Sequence, residues 1–152
     1  MNGMIQATNE ALQTLTSNVD SVKFSTVTLR TQSANCFNGW LGYNEGDAQF
    51  NIVAGGIYEI TFNSNITSGT VGVIGLALFA DGVQLPGTEM DKSVSTANAW
   101  DSASFNKKIR VCTRGNVTLA VRSVLTVNVE GVSTATQIPT LKNSNISIER
   151  LA

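Results

Sequence analysis

Apolar and polar positions alternate most regularly at 55–66, GGIYEITFNSNI. Tyr58, Ile60 and Phe62 share one parity, while Ile57, Glu59, Thr61 and Asn63 share the other. Side chains of a strand point alternately to its two faces, so this predicts a half-buried strand with an apolar inner face and a polar outer one. The stretch 71–82, VGVIGLALFADG, is almost continuously apolar. Such a strand is covered on both faces, and in a one-domain sandwich the second cover is most simply another subunit. Val71, Val73, Ile74, Leu76, Leu78 and Phe79, with Tyr58, are therefore the expected core and subunit-contact residues.

Further short strands are expected at 22–30, 37–43, 48–53, 100–105, 107–112, 116–124, 125–131 and 145–151. Asp81–Gly82 marks a hairpin, and the phase change within VKFSTVTLR suggests a bulge near Ser25–Thr26. Residues 91–99 and 133–141 look like loops. Eight to ten evenly spaced strands with no helix after residue 22 make an all-β sandwich or barrel.

Residues 4–22 differ. Ile5, Leu12 and Val19 recur at heptad spacing, as do Leu15 and Val22, which is the seam of a self-associating helix. Thr8, Thr14, Thr16, Ser17 and Asn18 oppose helix. Residues 1–21 are read as an arm, helical or extended, that anchors the β-domain at 22–152.

Composition narrows the function. Charged residues are only 14%, against about 25% in ordinary soluble domains, and Asn, Ser and Thr fill the gap. The net charge of −1 draws the protein to neither nucleic acid nor an acidic membrane. Lys107, Lys108 and Arg110 form a basic cluster that suits a guarded sheet edge. No run approaches the roughly 18 apolar residues of a membrane span. The N-terminus lacks the pattern of a signal peptide, so synthesis in a reducing cytoplasm is expected.

No catalytic set assembles. The chain has no His, which removes Ser-His-Asp and Cys-His arrangements, and its acids fall in turn-like segments. Cys36 and Cys112 lack zinc-ligand spacing and read as buried free thiols, with a disulfide left open. No cofactor or metal is expected. NEGD at 44–47 matches no calcium loop. Trp40 and Trp100 suit a core or an interface, or a platform for sugar.

The ordered set GGIYEITFNSNI, GVIGLALFADGVQLPGTEM, NVTLAVRSV and NSNISIERLA resembles the jelly-roll family of the tumour necrosis factor and complement globular-head type. Gly56, Tyr58, Gly82, Leu85, Gly87, Thr88, Ile148, Arg150 and Leu151 fall where that family's pattern has its marks. The nearest look is to small bacteriophage virion proteins and spore-surface collagen-like domains. This resemblance implies a compact homotrimeric β-sandwich. With no Gly-x-y tract, it points to a phage head-decoration or head-fibre protein docked on the major capsid protein or another virion protein. The other reading is a receptor- or glycan-binding fibre tip using loops around Trp100.

Overall fold

The computed structural model describes residues 3–16, 20–31, 41–112, 117–124 and 137–152. Among them are twelve strands and no helix. One sheet contains, in spatial order, β10 (Asp101–Val111), β6 (Gly56–Thr67), β12 (Thr140–Arg150), β1 (Met4–Asn9) and β3 (Thr26–Thr31), with β2 (Gln13–Thr14) on the end of β12. The other has β4 (Leu41–Asn44), β5 (Gln49–Ile52), β11 (Val117–Ser123), β7 (Gly72–Ala80) and β8 (Val83–Gln84), with β9 (Met90–Val94) also on β7. All pairs are antiparallel. The two sheets form a jelly-roll sandwich.

Alternation builds the core. Tyr58, Ile60, Phe62 and Ile66 of β6, Ile146 and Ile148 of β12, and Ile5 and Ala7 of β1 turn inward and are buried. They meet Phe50, Ile52, Leu76, Leu78, Leu119 and Val121 from the second sheet in one cluster. Phe24 ties the layers together, with ring centroids 5.7 Å from Phe50 and 6.5 Å from Phe62. Edge-to-face and tilted pairs of this kind add to the gain from burial. The Tyr58 hydroxyl donates to the Ala54 carbonyl at 2.8 Å, so its polar end is satisfied inside the core.

The heptad reading of residues 4–22 does not hold. Met4–Asn9 is a strand inserted between β12 and β3, and there is no free arm between residues 4 and 16. Two ladders of backbone hydrogen bonds, with Ile5 and Ala7 in the core, outweigh a short helical seam rich in poor helix formers. The seam residues scatter. Ile5, Leu15 and Val22 are buried in the sandwich, Leu12 is 67% exposed, and Val19 lies outside the described residues. The domain therefore includes β1 and β2, and a boundary at residue 21 cuts through it.

Other boundaries also move. The bulge in β3 falls at Thr28, since Gln6 pairs with Leu29 and Ala7 with Val27. The segment 91–99 supplies a strand, β9, before it becomes a loop, and 100–112 forms the single strand β10. Cys112 is a free thiol but exposed, not buried, because the inward set of β10 ends at Val111. The predicted strand at 125–131, Trp40 and Cys36 lie outside the described residues.

The double cover of β7 is real, yet it is supplied within one chain. Five consecutive residues, Ile74 to Leu78, are buried. Ile74, Leu76 and Leu78 face the core, while Gly75 and Ala77 face outward and need little cover because they are small. Arg122 is paired with Ala77 and lies over Phe79, its guanidinium 5.1 Å from the ring centroid. Val71, by contrast, is 56% exposed, and Val73 and Phe79 are half-buried. Leu76 is thus a core residue of the single chain and not a surface at which chains meet.

Candidate interaction surface

The outward face of the first sheet gathers residues that the sequence lists far apart. Register sets Asn106, Thr61, Ser147 and Gln6 in one row across β10, β6, β12 and β1, and Ser104, Asn63, Asn145 and Thr8 in the next. Amides and hydroxyls fill both rows. Asn106 Nδ2 donates to Thr61 Oγ1 at 2.9 Å, and Asn63 Nδ2 donates to Asn145 Oδ1 at 3.4 Å. Such groups cost less to remove from water than charges and keep spare donors and acceptors for a partner.

Charge enters in the third row, where Lys108, Glu59 and Glu149 lie side by side on β10, β6 and β12. Lys108 Nζ is 3.0 Å from Glu59 Oε2. One row further, Arg110 stands opposite Ile57 on the outer strand β10. The basic cluster foreseen at 107–110 therefore occupies a sheet edge.

Two further features flank these rows, and the first extends the same face, since Lys142 pairs with Asn65 beyond Asn63. Trp100 is 40% exposed and carries the Lys142 ammonium 4.2 Å from its ring centroid, so one of its faces is occupied. On β9, at the edge of the second sheet that adjoins β10, Asp91 is pushed up to about 6 by partial burial, then by the hydrogen bond and the negative charge of Glu89. Glu89 in turn accepts from Gln84 Nε2 at 2.9 Å. Among the described residues no group of three or more His, Cys, Asp or Glu is placed to hold a metal.

Of the residues expected at a trimer contact, Tyr58, Ile74, Leu76 and Leu78 are internal. Sequence reasoning missed the face itself. Its signal was the polar parity of β6, repeated in Asn145, Ser147 and Glu149 of β12.

No family model matches the sequence, and no curated protein does. Solved structures share the fold. Murine APRIL matches with a TM-score of 0.64 at 12% identity, over 99% of this chain and 100% of that one. The TNF protein Eiger from S. frugiperda matches at 0.66 and 12%, over 100% and 92%. The globular domain of the zebrafish complement 1qA protein matches at 0.65 and 10%, over 100% and 98%.

Proposed function

We propose that the protein is a non-enzymatic assembly module, a homotrimer that docks on the exterior of a virion shell as a decoration or head-fibre protein. The observation that carries the reading is the broad, nearly uncharged polar face on a jelly-roll sandwich of the tumour necrosis factor and complement type. In the family that the sequence resembles, this sandwich forms compact homotrimers. A trimer also suits a shell, because one molecule can seat on three equivalent neighbours around a local three-fold axis. The capsid partner and the virion location rest on the sequence resemblance.

The reading is tested by mass in solution and by cosedimentation with capsids that lack the protein. A trimer that sediments with the shells supports it. A monomer at all concentrations removes the assembly role, and a trimer that leaves capsids untouched removes the virion role.

The exposed ring of Trp100 favours a second reading, a glycan-binding tip. Glycan-array binding that is lost in Trp100→Ala, with the assembly unchanged, would select it over docking on a shell.

A further inference from the structure

A cleft of about 660 Å³ opens at the end of the first sheet, where β6 begins and β10 and β12 finish. Its charged side chains are Arg110 and Arg150, and no acidic side chain is among the described residues that line it. A hollow walled by one sign of charge concentrates ions of the other sign. Arg150 is held in place there, because its Nη2 donates to the Gly55 carbonyl at 2.7 Å. Gly56 makes that route across β6 possible. Its φ of 151° favours glycine, and a Cβ at this position would collide with the Ala152 carbonyl oxygen and stand 2.6 Å from Arg150 Nε. Arg110 is exposed opposite Ile57 and makes no hydrogen bond or ion pair with any described residue. Glu59, two residues along β6, already holds Lys108 at 3.0 Å. Guarding the β10 edge explains the charge of Arg110 but not its place on the wall of a hollow.

We infer that this cleft binds a small organic oxoanion, a carboxylate or a phosphate ester carried on an apolar body. Arg150 supplies a fixed guanidinium and Arg110 a second one able to swing onto the ligand. A planar guanidinium meets a carboxylate or phosphate through two parallel hydrogen bonds, which a lysine cannot do. Ile57, 41% exposed, and Val111 give the body an apolar wall. The volume lies in the range of small-molecule sites, roughly 300–1,000 Å³, and exceeds the needs of a bare ion. Every lining residue comes from one chain, so the site goes beyond the assembly reading and stands whether or not copies associate.

The test uses the full chain, with phenyl phosphate, benzoate, inorganic phosphate and neutral benzamide as probes at matched ionic strength. Cys112 is exposed and lines the cleft, so its alkylation by iodoacetamide, followed by peptide mass spectrometry, reports occupancy. Phenyl phosphate or benzoate should slow that alkylation saturably, with half-protection on the order of 1 mM. Whichever protects at the lower concentration identifies the head group. Arg110→Gln should raise the half-protecting concentration at least about tenfold with an unchanged melting temperature, and Arg110→Lys should recover only part of the loss. No protection, equal protection by benzamide, or protection that survives Arg110→Gln overturns the site. Inorganic phosphate protecting as well as phenyl phosphate overturns the organic ligand.

Discussion

The two sheets share one core but differ in what they show to the outside. On the second sheet, β7 is buried on both faces within a single chain, its outward side kept small by Gly75 and Ala77 and roofed by Arg122 over Phe79. On the first, every inward Tyr, Ile or Phe of β6 has a polar or charged neighbour facing out. Continuous apolarity thus marks a strand that is finished within its own subunit, whereas strict alternation leaves a face available to something else.

The largest effect expected from this difference is at Leu76. Leu76→Asp sets a charge in a dry core with no partner, so the isolated chain should fail to fold, seen as loss of cooperative melting. A folded monomer from this variant would return Leu76 to a surface between chains. Ala77→Leu probes the outer side of the same strand. If that side is closed within the chain, overpacking should cost about 1–3 kcal/mol in denaturant unfolding. If it were open to solvent, the change would be close to neutral.

On the first sheet the order of effects reverses. Asn63→Asp should alter unfolding by no more than about 0.5 kcal/mol, yet weaken self-association measured by dilution, since it adds charge to the neutral rows. The smallest effect concerns Asp91. Its raised folded value means that the native state holds this proton more tightly than the unfolded chain does, so stability present below about pH 4 declines as pH rises through about 6. Asp91→Asn should flatten that part of the stability–pH curve, read from melting temperatures between pH 4 and 7.

Where one physical cause dominated, the sequence was readable. The alternation of Tyr58, Ile60 and Phe62 places β6, and with it the architecture, since few folds use many short alternating strands. Where a partner decides, it was not. MDKSV has no apolar periodicity and becomes β9 because the edge of β7 offers unpaired backbone groups. Ile5 and Ala7 alternate over too few positions, and with too small a second residue, to compete with the heptad spacing of Leu12 and Leu15. The polar face was visible as single residues, but its rows exist only in the register of β10, β6, β12 and β1, which no local pattern records.

The insertion of β1 between β12 and β3 also has a kinetic consequence. Ile5 is opposite Ile148, so the centre of the first sheet joins two of the most sequence-distant segments of the domain. Closing such a contact is slow relative to local hairpins. Synthesis delivers residues at about 5–20 per second, and until β12 has been made and has left the ribosome, β1 lacks one neighbour and β6 lacks the other side of its ladder. The polar face therefore does not exist on a growing chain. Anything that docks on this face must wait until β12 has emerged and paired with β6 and β1.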